Sequence, residues 1–99
     1  MSNVKTRPFD MANYLIDEEA VGEYLRQVLA EGDATELGAA LGDIARARGM
    51  SQLAKDTGLS RESLYKSLSG ERAPSSDTLF KVMRALGFEL TVKLAAGPR

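Results

Sequence analysis

The stretch that decides the fold is Ser51–Gly70, SQLAKDTGLSRESLYKSLSG. Its apolar positions predict two short helices, with Leu64 and Leu68 four residues apart on the second. Between the helices, Gly58 can adopt the positive φ that an abrupt turn requires, and the hydroxyl of Ser60 can cap the second helix. This layout over residues 51–70 is typical of a helix-turn-helix, in which the second helix enters the major groove of DNA.

The second helix of this motif presents a polar and partly basic outer face. Arg61, at its N-terminal end, is placed to bond a guanine bidentately, and Glu62 can accept from a cytosine or orient Arg61. Hydroxyl and amide groups near helix N-termini suit phosphate oxygens, and an arginine in the following loop suits them too. The candidate DNA contacts are therefore Ser51, Gln52, Ser60, Arg61, Glu62, Ser63, Tyr65, Lys66 and Arg72. The alternative for each is an ordinary solvated side chain.

The composition restricts the possible function classes. A chain of 99 residues is long enough for one domain with one modest core. It contains no cysteine and no histidine, which removes disulfides, thiolate zinc sites and most nucleophile–base chemistries, so we expect no enzyme, metal or cofactor. There is no run of about 18 apolar residues to predict a membrane span. The first ten residues lack the apolar stretch of a signal peptide, so we expect a cytoplasmic protein without membrane contact.

Charge is divided unevenly along the chain, although the net charge is only −1. Residues 10–43 contain nine acidic side chains and one basic one, whereas residues 44–99 contain ten basic and five acidic ones. The basic half includes the helix-turn-helix and can neutralise phosphates, while the acidic half would be repelled by DNA. The acidic half therefore suits a basic partner, and the alternative is ordinary charge scatter on solvated helices.

Five helices are predicted from repeated Asp or Ser starts and Gly stops. They run from an Asp17 cap to about Glu31, from an Asp33 cap to about Arg48, from a Ser51 cap to Gly58, from a Ser60 cap to Ser69 or Gly70, and from a Ser76 or Asp77 cap to Leu86. We expect residues 1–8 to be a flexible N-terminus, residues 9–16 to be irregular chain packed on the body, and residues 9–99 to form one domain. The fold class is therefore mainly α.

The C-terminal segment changes the period of its pattern. Residues 88–94, FELTVKL, alternate apolar and polar side chains, which predicts a β-strand with Phe88, Leu90, Val92 and Leu94 on one face. The sequence contains no second strand of comparable quality, and a lone strand leaves its backbone groups unpaired. We expect this strand to pair with the same strand of a second copy and so form a two-fold homodimer. The alternative is pairing with residues 9–16 of the same chain.

These stretches resemble a known family. LGDIARARGMSQLA (residues 41–54) and GLSRESLYKSLSGERAPS (residues 58–75) resemble the lambda-repressor-like (Xre) DNA-binding fold. The longer string over residues 37–90, together with the opening PFDMANYLIDEEAVGEYL (residues 8–25), resembles the HigA-like addiction-module antidote proteins, the antitoxins of bacterial toxin–antitoxin systems. One departure is that Ser51-Gln52 runs directly into Leu53-Ala54, two residues shorter than in many repressor-like domains, which predicts a short first motif helix.

The resemblance implies an antitoxin of a type II module. Such a protein binds and neutralises a small basic toxin, usually a RelE/HigB-like ribonuclease that cuts mRNA. It also represses its own operon as a dimer on double-stranded operator DNA with an inverted repeat. For the toxin contact, acidic side chains can pair with toxin arginines and apolar ones can anchor the interface. The candidates are Phe9, Asp10, Tyr14, Leu15, Glu18, Glu19 and Glu23, and the alternative for the apolar ones is packing on the chain's own helices.

Two other functions stay open at this point. One is a free-standing Xre-type transcriptional repressor without a toxin partner, and the other is a pure protein inhibitor in which the helix-turn-helix is only structural. The acidic N-terminal half favours the antitoxin, because a plain repressor has less need of it. The basic outer face of the second motif helix disfavours the pure inhibitor.

Overall fold

The computed structural model describes residues 17–92 and 94–95, and these residues form five α-helices. The helices are α1 (Glu18–Glu31), α2 (Ala34–Arg48), α3 (Met50–Thr57), α4 (Arg61–Ser67) and α5 (Ser76–Ala85). The described fold is mainly helical, as predicted, and α2 contacts each of the other four helices. α2 is therefore the central element that positions the rest. The predictions for residues 1–8 and 9–16 lie outside the described residues.

The apolar core lies where α2 meets its neighbours. Leu41 and Ile44 of α2 are fully buried, as are Leu64, which begins the last turn of α4, and Val82 of α5. The buried apolar residues are Val21, Leu25, Ala40, Leu41, Ile44, Ala45, Met50, Leu53, Leu64, Leu68, Val82 and Met83. Along α1 and α2 these residues recur every three or four positions, and in α5 the partly buried Leu79 lies one turn before Val82 and Met83, so each helix turns an apolar face to the core. Leu29 is an exception, because it is half exposed although it lies four residues after the buried Leu25 on α1.

The first two helices begin at the predicted caps. The Asp17 carboxylate accepts from the backbone N–H of Glu19 at 2.9 Å and of Ala20 at 3.3 Å. Asp33 and Glu36 form a capping box, in which each carboxylate accepts from the other residue's backbone N–H, at 2.9 and 3.0 Å. These bonds satisfy N–H groups that a helix start leaves without partners, and they hold negative charge where the helix dipole favours it.

The predicted Ser51 cap of α3 is wrong. α3 begins at Met50, so Ser51 lies inside the helix, and the N-cap residue is Gly49, which makes no side-chain cap bond. Gly49 also ends α2, with its N–H donating to the Ala45 carbonyl at 2.7 Å. Because one residue with φ of 120° joins the two helices, the junction leaves no separate capping position. α3 has eight residues, which agrees with the short first motif helix that the sequence predicted.

The fifth helix also starts at a different residue from either one predicted. The cap is Ser75, whose hydroxyl accepts from the N–H of Thr78 at 3.1 Å, and neither Ser76 nor Asp77 caps the helix. Ser75 is the last residue with extended backbone before the helix, so its hydroxyl is the one that can accept from the N–H of the third helical residue, Thr78. Asp77 instead lies in the first turn, where its charge is favourable.

The predicted C-terminal strand is not seen in this single chain. Residues 88–92 and 94–95 have no helical or strand structure. α5 ends in a pair of bonds typical of a glycine stop, with the Gly87 N–H donating to the Arg84 carbonyl at 3.0 Å and the Phe88 N–H to the Met83 carbonyl at 2.9 Å. A strand needs a paired neighbour, and the described part of the chain supplies none for this segment.

Candidate nucleic-acid interface

The turn between α3 and α4 is held by several hydrogen bonds. Gly58 has φ of 78°, as predicted, and its N–H donates to the Ala54 carbonyl at 2.9 Å. The Thr57 hydroxyl donates to the Leu53 carbonyl at 2.8 Å and accepts from the Leu59 N–H at 3.2 Å. These bonds use the polar groups that the end of α3 would otherwise leave open. They hold the backbone from the end of α3 to Leu59, directly before the Ser60 cap of α4.

α4 separates a buried face from a polar one. Leu64 is fully buried in the core, and so is Leu68, which immediately follows the helix. The Ser60 hydroxyl accepts from the Ser63 N–H at 3.0 Å, which confirms the predicted cap and still leaves its own O–H to donate elsewhere. The exposed residues of α4 are Arg61, Glu62, Ser63, Tyr65 and Lys66, the same set that the sequence placed outside.

Two of these exposed side chains contact each other. The Arg61 guanidinium lies 5.9 Å from the centre of the Tyr65 ring, four residues along the same helix. An exposed cation–π contact of this kind contributes about 0.5–1 kcal/mol, enough to bias the direction in which the guanidinium points. Within the part of the chain that the structure describes, Glu62 makes no ion pair with Arg61. The alternative that Glu62 orients Arg61 therefore has no support in this geometry.

The remaining DNA candidates lie at the start of α3 and in the loop after α4. Ser51 and Gln52 are exposed in the first turn of α3, and the Gln52 amide donates to the Asp56 carboxylate at 2.9 Å. A phosphate contact by this amide would have to replace that bond. Arg72 is exposed in a loop whose start is shaped by a bond of 3.2 Å from the Glu71 N–H to the Ser69 hydroxyl.

All nine candidates are therefore exposed, on α3, in the turn between α3 and α4, on α4 or in the loop that follows α4. The set carries three cations, Arg61, Lys66 and Arg72, and one carboxylate, Glu62. A convex helix with cations and short hydroxyls on its outer face, backed by a buried leucine face, has the chemistry to contact both base edges and phosphates.

The sequence analysis did not identify the residues of α2 against which the end of α4 packs. A Cβ added at Gly42 of α2 would overlap the Leu68 carbonyl oxygen and lie 3.1 Å from the Leu68 Cβ, and one added at Gly38 would lie 2.9 Å from Pro74 Cδ. These two glycines are one helical turn apart on the same face of α2. Because neither has a side chain, the end of α4 and the following loop can pack directly against the α2 backbone there. The only sequence signal was two glycines with a spacing of four residues inside a predicted helix.

Comparison with known proteins adds to this geometry. A family model described as "Probable addiction module antidote protein" matches residues 5–94. The chain belongs to this antidote family. An antidote acts against a toxin, so membership implies a toxin partner. An uncharacterized protein from Haemophilus influenzae is 48% identical to the antidote over 87 residues, which covers 88% of this chain and 90% of that relative. No solved structure matches the chain significantly.

The predicted toxin contacts of the antidote are only partly described. Phe9, Asp10, Tyr14 and Leu15 lie outside the described residues. Glu18, Glu19 and Glu23 are exposed on the first turns of α1. Glu19 and Glu23 are four residues apart and share a face, whereas Glu18 lies on a different side of the helix. Glu23 is already engaged, because its carboxylate accepts from the Arg26 guanidinium at 2.7 Å.

The predicted dimerisation residues of the antidote differ in their surroundings. Phe88 is partly buried against the core, with the Arg48 guanidinium 5.8 Å from its ring centre, and Arg48 also donates to the Leu86 carbonyl at 3.0 Å. By contrast, Leu90, Val92 and Leu94 are 47%, 98% and 92% exposed.

Among the five helices over residues 17–92, none has the length and hydropathy to cross a bilayer.

Proposed function

We propose that this antidote is a HigA-like antitoxin of a type II toxin–antitoxin module, with an Xre-type helix-turn-helix formed by α3 and α4. It neutralises a small basic RelE/HigB-like mRNA-cleaving toxin by direct binding. It also represses its own operon by binding double-stranded operator DNA as a homodimer. The protein acts in the cytoplasm and has no catalytic role of its own.

The observation that carries the DNA-binding part is the outer face of α4. Arg61 at the N-terminal end of that helix lies against Tyr65, and Lys66 is one turn further on. Side chains at this end of a reading helix enter the major groove first, and arginine bonds the O6 and N7 atoms of guanine bidentately. Arg61 is therefore the base-reading residue, while Arg72 and the serine hydroxyls bind phosphates.

The homodimer rests on the exposed apolar residues of the C-terminal segment. Leu90, Val92 and Leu94 are exposed in the single chain, and they alternate with polar residues in the sequence. Antiparallel pairing of residues 88–94 with the same residues of a second copy satisfies the backbone groups on the edge where the two strands meet and brings their apolar side chains together on one face. A two-fold dimer then places its two copies of α4 about 34 Å apart, one turn of DNA, on an inverted repeat.

The toxin part rests on charge and on family membership. Residues 17–43 contain eight acidic side chains and one basic one, and that one, Arg26, is paired with Glu23. A surface with this excess of negative charge attracts a basic protein and is repelled by DNA. The toxin therefore binds the half of the molecule that does not face the operator.

The test combines co-expression with DNA binding. The full chain is co-expressed with each protein encoded beside its gene, and the purified material is titrated onto the DNA upstream of the operon. We expect a stoichiometric small basic partner and a sequence-specific shift. DNA binding without a partner would favour a free-standing repressor, and a partner without DNA binding would favour a pure inhibitor.

A matched pair of arginine variants tests the assignment of α4. Arg61→Ala should lower operator affinity by about 1–3 kcal/mol and relax specificity at one base position. Arg46→Ala removes the same charge from α2, where Arg46 is exposed and paired with Asp43 at 2.6 Å, and should leave specificity unchanged. Equal losses on every DNA sequence for Arg61→Ala would contradict the base-reading role.

A further inference from the structure

A groove between α1 and α2 lies apart from the DNA candidates. It has a volume of about 450 Å³, within the range of clefts that bind ligands or side chains. Its walls come from one face of each helix, with residues of α1 spaced by three or four positions facing those of α2. The lining residues are Tyr24, Gln27, Val28, Glu31, Gly32, Glu36, Ala39 and Ala40.

The groove has an apolar floor and an acidic end. Val28 and Tyr24 are partly buried and pack against the core, while the carboxylates of Glu31 and Glu36 line the end near the α1–α2 turn. No lysine or arginine lines this groove. An apolar strip that leads to carboxylates fits a long cationic side chain, whose aliphatic stem covers the floor while its charged head meets the acids.

Glu31 is the residue that local structure does not explain. It is the last residue of α1, and that last turn contains no basic side chain. A carboxylate at a helix C-terminus is unfavourable, because it lies at the negative end of the helix dipole. Glu31 makes no ion pair or side-chain hydrogen bond with any part of the chain that the structure describes. Glu36, by contrast, is used in the capping box with Asp33.

We infer that this groove is the docking site for a basic segment of the toxin, with an arginine or lysine side chain lying over Val28 and its cationic head on Glu31 and Glu36. The inference rests on the proposed antitoxin function and gives it a surface distinct from the first turns of α1. The occupant is a basic protein segment because the groove is acidic and lies on the acidic half of the chain.

Glu31 permits a clean test, whereas Glu36 does not, because replacing Glu36 would also remove part of the α2 cap. Glu31→Gln removes the charge and Glu31→Lys reverses it, and both substitutions relieve an unfavourable helix end, so both variants should fold. The full-length variants are titrated calorimetrically with the basic protein encoded beside the gene. We expect affinity to fall in the order wild type, Glu31→Gln, Glu31→Lys, with a loss of about tenfold or more for the reversal.

Two control variants separate the possible outcomes. Glu62→Gln on α4 makes the same change as Glu31→Gln, and we expect it to alter operator binding while leaving toxin affinity unchanged. Glu19→Gln removes one negative charge from the first turns of α1, where the sequence placed the toxin contacts. Loss of affinity with Glu19→Gln but not with the Glu31 variants would overturn the groove and leave the antitoxin function standing. A wild-type chain that binds no such protein would overturn the antitoxin function itself, and the docking site with it.

Discussion

The packing of α2 against the end of α4 leads to a prediction with an internal control. Gly22 and Gly42 both lie inside helices, where replacing glycine by alanine stabilises a protein by about 0.5–1 kcal/mol through backbone entropy. A Cβ added at Gly22 meets only the end of the Arg26 side chain, at 3.8 Å. One added at Gly42 overlaps the Leu68 carbonyl. The same mutation should therefore have opposite effects at the two positions.

The magnitude follows from what must move. At Gly22 nothing moves, and we expect the full gain of about 0.5–1 kcal/mol. At Gly42 the obstacle is backbone at the end of α4, and overpacking of this kind costs about 1–3 kcal/mol. After subtraction of the helix-propensity gain of about 0.5–1 kcal/mol, Gly42→Ala should lower the free energy of unfolding by about 1 kcal/mol, and by no more than about 2.5 kcal/mol.

Thermal unfolding measures both variants, and the protomer concentration is kept fixed because the proposed dimer would make Tm depend on it. For a domain of this size about 1 kcal/mol corresponds to a Tm change of about 4–8 °C. Gly22→Ala should raise Tm and Gly42→Ala should lower it. Gly42→Ala should also weaken operator binding, because α4 has to move away from α2. An increase in Tm for Gly42→Ala as large as that for Gly22→Ala would refute the close approach of α2 to Leu68.

Three further predictions concern other parts of the molecule. Arg72→Ala should weaken binding to all DNA sequences evenly and reduce the slope of affinity against salt by about one unit, as measured by titrations at several salt concentrations. Val92→Asp should produce monomers in sedimentation experiments while circular dichroism shows intact helices, because Val92 is 98% exposed in the single chain; a stable dimer would contradict the strand pairing. Asp33→Ala should cost about 1 kcal/mol by loss of the capping box. Asp43→Ala, which removes only an exposed ion pair, should cost less than about 0.5 kcal/mol in the same urea unfolding experiment.

The helix starts that could be predicted are those decided within one turn. Asp17, Asp33 and Ser60 each cap a helix through N–H groups two or three residues ahead, so the sequence contains the whole interaction. The start of α3 could not be predicted in this way. Gly49 joins two helices with φ of 120°, and the hydroxyl of Ser51 therefore has no cap to make. No side-chain cap bond forms at that junction, so it carries no capping signal of the kind found at Asp17, Asp33 and Ser60.

The candidate binding surfaces also differ in whether the local sequence or the packing of distant segments forms them. The outer face of α4 was predictable, because burial of Leu64 leaves its neighbours on the helix exposed. The groove at Glu31 was not, since it exists only where α1 and α2 pack side by side. The C-terminal strand lies between these cases. Its alternation is local, but a strand also needs a paired neighbour, and the described part of the chain supplies none, so the pattern is present without the strand.

α2 connects the two proposed binding surfaces. Gly38 and Gly42 support the end of α4 and the loop that contains Arg72, while Glu36 and Ala39 line the acidic groove, and Ala39 also lies beside Gly70 of that loop. The surfaces share no contact residue, because the DNA candidates belong to α3, α4 and their loop, whereas Glu31 belongs to α1. Point substitutions can therefore abolish one kind of binding and leave the other, which a single shared surface would not allow. Operator binding by the Glu31 variants, measured together with their toxin affinity, distinguishes these two arrangements directly.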